Sequence, residues 1–400
     1  MNAIIPIHAE RAHAKLSASG SKKWLTCTPS ASLEDQFPDE QSTYAAEGTF
    51  MHEIFELALL MWLERIPEAE ARARYAELKQ NAFWNQELED HVRAAVERAK
   101  AAIEEIRASC KDPVILVEQR LDFSPWVPEG FGTGDLVIIA DDVAWVLDLK
   151  GGKGIPVECE GNTQMQLYGL GAYNELAHLY DIRRVRMTVL QPRLDNWGSS
   201  ELLVEDLLEW AETYVKPRAQ MAWDGEGEFV AGDHCTDGFC RARFQCPARA
   251  EAALEVAKSD FALKAPELLT AEQLVDVLSK ADMAIAWLND VKSYALKQAE
   301  NGHEVPGYKL VEGRSNRKYS DADAVAEKLI QSGVDEALIY ERSLLGITAM
   351  EKILGKKRFS ELLGDLIVKP QGKPTLVSVD DKRPALSSVA SAANDFGGEE

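Results

Sequence analysis

The stretch GTGDLVIIADDVAWVLDLKGGKG, residues 132–154, reads as two β-strands joined by a tight turn at Asp141-Asp142. It sets Asp135, Asp148 and Lys150 into a run that is otherwise apolar. Strand side chains alternate, so Asp148 and Lys150 project from one face while Leu147 and Leu149 point into the opposite core. Asp135 opens the preceding strand, which the turn folds back alongside, and the three polar groups can then converge on one spot. Two neighbouring carboxylates repel unless a cation lies between them, and a hard divalent metal is the natural occupant. Lys150 beside that metal could position or activate a water, or neutralise charge building on a phosphate. From the hairpin alone, a surface salt bridge between Lys150 and either aspartate accounts for the same residues equally well.

Working outward, PVILVEQRLDF (113–123) and RRVRMTVLQPR (183–193) have the same β-branched or alternating character, bounded by Pro, Gly and Asp. Between the third and fourth strands, NTQMQLYGLGAYNELAHLY predicts a helix of about 15 residues. Three strands would form an antiparallel meander, and the helix would return the chain to a fourth strand. The expected fold class is α/β, with a mixed sheet flanked by helices. Glu118, inside the first strand, is a further carboxylate in an apolar run; an exposed edge residue and a metal ligand are equally open readings.

Upstream, Phe50, Ile54, Leu57 and Met61 share one helical face, and residues 68–110 continue as charged, Ala-rich helical sequence. His52 lies on the first of these helices with Glu56 four residues on. A zinc protease motif needs a second histidine at that place, so that reading fails. Downstream, TAEQLVDVLSKADMAIAWLNDVKSYALKQAE predicts a long amphipathic helix, and SSVASAANDFGGEE an acidic, disordered tail.

The chain has 400 residues, 46% of them hydrophobic, which allows two or three domains. No apolar run approaches the roughly 20 residues of a membrane span, and the N-terminus lacks a secretory pattern. A cytoplasmic protein without membrane contact is expected. The net charge of −22 excludes a nucleic-acid coat, so any DNA contact is local. Six cysteines in a reducing compartment point to metal binding where they cluster.

An acid-rich helix carrying His52, then GTGD ending at Asp135, then DLK at Asp148–Lys150, then Gln164 and Tyr168 four apart in QMQLY, occur in this order over about residues 45–195. The set resembles the RecB-like branch of the PD-(D/E)XK nuclease superfamily. The resemblance implies a restriction-endonuclease-like core and a metal-dependent DNA exonuclease. His52, Asp135, Asp148 and the Leu149 carbonyl would hold Mg2+ or Mn2+, with Glu118 a further candidate. Lys150 would assist attack on phosphate, and Gln164 and Tyr168 would hold the DNA.

The same resemblance extends to Cys27 and the late group Cys235, Cys240 and Cys246, similar to the iron-sulfur staple of CRISPR-associated exonucleases and of recombination-helicase nuclease subunits. It implies a 4Fe-4S cluster. The C-x4-C-x5-C spacing departs from that family's tighter late pair, and leaves zinc on four cysteines, or on three plus His234, as the alternative. Cys110 and Cys159 read as ordinary free thiols.

The phrases GYKLVEGRSNRKY and GKPTLVSVDDKRPAL resemble an uncharacterised phage and prophage family sharing this core. Arg314, Arg317 and Lys318, with Tyr319, offer phosphate contacts and a stacking ring, as GKKRF offers Lys356, Lys357 and Arg358; a solvated basic turn is the equal alternative. The resemblance implies phage recombination or DNA processing in a bacterial host, beside a single-strand annealing or recombination protein. The expected layout is a helical region to residue 112, the nuclease core and cysteine staple at 113–260, an accessory domain at 261–385 and the tail at 386–400. The rival readings are a non-catalytic DNA-binding module and a zinc-stapled structural protein on the same fold.

Overall fold

The computed structural model describes residues 14–37, 43–260, 271–311, 322–333, 335, 339, 350, 353–363 and 366–367. The chain divides into two compact units, Met1–Glu304 and Val305–Glu400.

The first unit is built on a five-stranded sheet whose strands lie in chain order: β1 (Val114–Asp122), β2 (Phe131–Ala140), β3 (Val143–Leu149), β4 (Arg184–Leu190) and β5 (Ser199–Leu203). β1, β2 and β3 form an antiparallel meander, β4 runs parallel to β3, and β5 is antiparallel to β4. The parallel step needs a crossover, which α6 (Thr163–Leu176) supplies. Mixed pairing with a helix between the third and fourth strands is the arrangement the sequence predicts. β5 is an addition. Its residues SSELL alternate between exposed and half-buried and carry too little apolar pattern to be read in advance.

The two-residue turn at Asp141-Asp142 closes the β2–β3 hairpin, with Asp141 at φ 49°, a left-handed conformation that Asp tolerates. The central strands are buried on both faces, which is why they read as nearly unbroken apolar runs. Val137, Ile139, Ala144 and Val146 point into a core shared with Leu167 and Leu170 of α6. Leu136, Ile138, Trp145, Leu147 and Leu149 point into a second core. That core is capped by α3 (Thr43–Trp62), through Phe50 and Phe55, and by α5 (Gln86–Ser109), through Val92 and Ile103.

Short helices α1 (Ser21–Thr26) and α2 (Ser30–Glu34) precede α3. The helical stretch expected over 68–110 is two helices, α4 (Glu68–Leu78) and α5, because Asn85 caps the second by accepting a hydrogen bond from Leu88 N at 2.9 Å. After the sheet come α7 (Val204–Trp210), a π-helical turn at Ala211–Val215, α8 (Lys216–Asp224), α9 (His234–Asp237), α10 (Pro247–Asp260) and α11 (Ala271–Glu300). Among the described residues of the second unit are helices α12 (Ala322–Gln331) and α13 (Lys356–Leu363), which bury Ala326 and Phe359. Arg314, Arg317, Lys318, Tyr319 and the tail 386–400 lie outside the described residues. Among the described residues no helix is long and apolar enough to cross a membrane.

Candidate metal centre

The β2–β3 ladder ends at Leu136↔Leu147, one step before Asp135 and Asp148. The two aspartates therefore sit where the strands part. Alternation from Val137 and Val146 puts both on the α6 side of the sheet. They are almost completely enclosed, at 4% and 3% exposure. One carboxylate oxygen of Asp135 accepts the backbone N–H of Leu149 at 2.5 Å, taking the place of a ladder bond. Its other oxygen stands 2.9 Å from His52 Nδ1.

Glu118 completes this group. Pairing on either side of it, Val117↔Leu136 and Gln119↔Gly134, sets it opposite Asp135. Its backbone has φ 52°, a left-handed conformation that costs a non-glycine residue about 1–2 kcal/mol and concentrates at functional sites. One donor atom each from His52, Glu118 and Asp135 lie within 4.8 Å of one another. Two carboxylates and an imidazole at that spacing could hold a metal ion.

Burial lowers the pKa of His52, but Asp135 above all, with Asp148 and Glu118, more than offsets this and raises it to about 9. A quarter of the His52 side chain meets solvent, which moderates the cost of carrying charge. The Asp148 carboxyl is pushed up by burial, opposed by the Lys150 ammonium and reinforced by Asp135.

Lys150 Nζ is 2.8 Å from Asp148 Oδ2, an ion pair whose geometry leaves that buried oxygen without a hydrogen bond. The same ammonium donates to Gln164 Oε1 at 2.7 Å, and Gln164 Nε2 donates to the Tyr168 hydroxyl at 3.0 Å. Gln164 and Tyr168 thus form a relay behind Lys150. The Tyr168 ring is only 7% exposed and lies against Gly132, where an added Cβ would come within 2.5 Å of it. Burial, with Asp148 nearby, raises the Tyr168 pKa, so its hydroxyl stays protonated.

Three residues that position this site escaped the sequence reading: Glu47, Gln191 and Arg193. Arg193 makes a bidentate pair with Glu47, at 2.8 Å to each oxygen, and donates to Gly151 O at 3.0 Å. It ties α3, which carries His52, to the chain leaving Lys150. The only sequence signal was a Gln and an Arg ending the apolar run VLQPR.

Cys27, Cys235, Cys240 and Cys246 line one small cavity together with His234. Cys27 ends α1, Cys235 lies in α9, and Cys246 directly precedes α10. Burial raises the thiol pKa of Cys27 and Cys235 and pushes Cys240 up to about 11, with neighbouring thiols adding to the rise at Cys27. His234 Nε2 is 2.9 Å from Val230 O. The cysteine segment is fastened at both ends. Lys23 donates to Glu34 at 2.8 Å and to Gly238 O at 3.1 Å, while Arg241 N donates to Glu34 at 2.7 Å. Arg249, 1% exposed, pairs with Asp290 of α11 and donates to Thr236 Oγ1 at 2.8 Å. Cys159 is buried apart from this cavity, its thiol donating to Met187 O.

The fold and this centre define a mixed-sheet α/β protein with a histidine-carboxylate pocket that could bind metal. Residues 13–384 match the sequence profile of the family described as "Protein of unknown function (DUF2800)", and the chain belongs to that family.

Proposed function

We propose that the first unit is a metal-dependent deoxyribonuclease of the RecB-like PD-(D/E)XK kind, acting from DNA ends. The observation that carries this reading is the convergence of His52, Glu118 and Asp135 where β2 and β3 part, with Asp148 and Lys150 alongside. Two enclosed carboxylates and the half-buried Glu118, facing one ammonium and one imidazole, favour an added cation, and oxygen-rich donors suit Mg2+ or Mn2+. His52, Asp135 and Glu118 would hold it, with Asp148 and the Leu149 carbonyl completing the set that the resemblance implies. Such an ion supplies Lewis-acid polarisation of the phosphate and makes a bound water more acidic.

The chain's own groups do the rest. Lys150 places a positive charge where charge builds on the phosphate, and Asp148 orients the ammonium through their 2.8 Å ion pair. Gln164 holds the ammonium from the other side, with its own amide turned by Tyr168. The low exposure of Asp135 and Asp148 limits water at the reacting phosphate and strengthens each of these interactions.

The same reading gives the cysteine cavity a 4Fe-4S cluster. Cys27, Cys235, Cys240 and Cys246 line one cavity, and four thiolates are the ligand set that such a cluster takes, with zinc on the same thiols or on three of them plus His234 as the alternative. The setting is phage or prophage DNA processing in a bacterial cytoplasm, beside an annealing or recombination protein. Incubation of purified protein with end-labelled single- and double-stranded DNA in Mg2+, Mn2+ or EDTA tests the reading. Metal-dependent release of nucleotides from ends is expected. Binding without cleavage in either metal would favour a non-catalytic DNA-binding module.

A further inference from the structure

Residues 152–156, Gly-Lys-Gly-Ile-Pro, are all exposed and follow Lys150 by two positions. An exposed, glycine-rich loop is ordinarily loose. This one is braced from behind by a buried side chain. Gln191, 1% exposed, donates through Nε2 to Gly152 O at 3.2 Å and to Ile155 O at 2.9 Å, and accepts at Oε1 from Val157 N at 2.9 Å. Asn196 donates to that same Oε1 at 2.9 Å and to Val157 O at 3.0 Å. Arg193 fixes Gly151 at the loop's start. The polar capacity of a buried amide is spent on holding a surface loop in one shape.

The outward side of the loop is bare. A Cβ added to Gly152 or Gly154 would meet nothing within 4 Å, and neither has the positive φ that demands glycine. Crowding and backbone conformation therefore do not explain these two glycines, but close approach by another molecule does. Between them Lys153 is exposed and forms no ion pair within 4 Å among the described residues; it borders a polar cleft lined also by Glu47, Glu87, Asn85, His91 and Arg193, where it lies in the field of Glu47, a carboxylate already held by Arg193. Ile155 keeps 66% of its surface in water, an unusual position for a large apolar residue held rigidly. Three residues span at most about 10–11 Å, so a strand whose phosphate lies at Lys150 passes within reach of the Lys153 side chain.

We infer that residues 152–156 are a braced grip on the DNA strand, with Lys153 contacting a phosphate beside the one that is cut and Ile155 packing on the adjacent sugar or base. The inference rests on the nuclease reading above. Rigidity matters because a loop already held in its bound shape costs little entropy on binding.

Fluorescence anisotropy of the full chain with short labelled single-stranded and duplex DNA, Ca2+ replacing Mg2+, tests the grip across a salt series. Lys153→Ala is expected to weaken binding several-fold at moderate salt and lower the log-log salt slope by about one unit. Ile155→Ser and Gln191→Ala are expected to weaken binding with the slope kept, since both leave the charge in place. Lys216→Ala, a surface change on α8, is expected to alter neither. Lys153 and Ile155 are exposed, so their variants decide the matter even if Gln191→Ala does not fold. Unchanged affinity and slope for Lys153→Ala, or a loss equalled by Lys216→Ala, in a protein that binds and cuts DNA would overturn the grip alone. A wild-type protein that neither binds nor cuts DNA would overturn the nuclease reading and the grip together.

Discussion

Nδ1 of His52 and Oδ1 of Asp135 stand 2.9 Å apart, joining helix α3 on one face of the sheet to a strand carboxylate that faces the other. The contact is possible only because β2 and β3 stop pairing at Leu136↔Leu147. Opposed by burial but supported by Asp135, the imidazole holds its proton well above its ordinary range. Without a metal ion, that imidazolium offsets the carboxylate charge.

Stability in EDTA should depend on pH through His52. Its folded pKa of about 9 exceeds the ordinary 6.5, so its contribution is fully present below about pH 6.5 and is lost as pH rises through about 9. Urea melts of wild type and His52→Gln should differ most on the acid side and converge on the alkaline side. A ligand imidazole must be neutral, so Mn2+ affinity should climb over the same window with proton release. A gap between the two proteins that ignores pH would show that the ring is not protonated.

Asp148→Ala and Lys150→Ala should each cut DNA cleavage by about 10²–10³. Their routes differ. Asp148→Ala should also weaken Mn2+ binding measured by calorimetry, and Asp135→Asn should weaken it more, whereas Lys150→Ala should leave it nearly intact. Near-normal cleavage by Lys150→Ala across a range of pH would remove the nuclease assignment.

Anaerobically purified protein should be brown, with broad visible absorbance from thiolate-bound iron and sulfide. Cys27→Ser and Cys240→Ser should each bleach it and lower the melting temperature, because the centre joins α1 to a segment some 200 residues away. Colourless protein carrying one zinc per chain would replace the cluster with zinc and keep the staple.

Asp290→Ala should destabilise the first unit by about 3–5 kcal/mol in chemical denaturation, since it strands the enclosed Arg249 guanidinium. Replacing both residues with apolar ones of similar size should cost much less. Equal losses in the single and double variants would mean that the pair's charge is not what matters there.

The α/β class and the strand order were legible in the sequence because each rests on local pattern. β2 and β3 announce themselves as apolar runs split by Asp141-Asp142, and α6 by its helical period between two strands. β5 was not legible, being short, polar and at the sheet edge. Polar groups set in apolar runs singled out Asp135, Asp148 and Lys150, whereas His52, Gln164 and Tyr168 were picked out only by the resemblance to RecB-like nucleases.

The sequence by itself determined which side chains were available, and through strand alternation it put Asp148 and Lys150 on one face. Only the tertiary structure decided how they are used. Glu118 faces Asp135 because two strands are in register, with a left-handed residue in the middle of β1 that no propensity foretells. Gln164 and Tyr168 stand behind Lys150 because α6 crosses that face of the sheet. Gln191 and Arg193 brace a loop some 40 positions upstream, through contacts that exist only once β4 lies beside β3. Alternation and helical period act between near neighbours in the chain, whereas these hydrogen bonds and ion pairs join residues brought together only by packing.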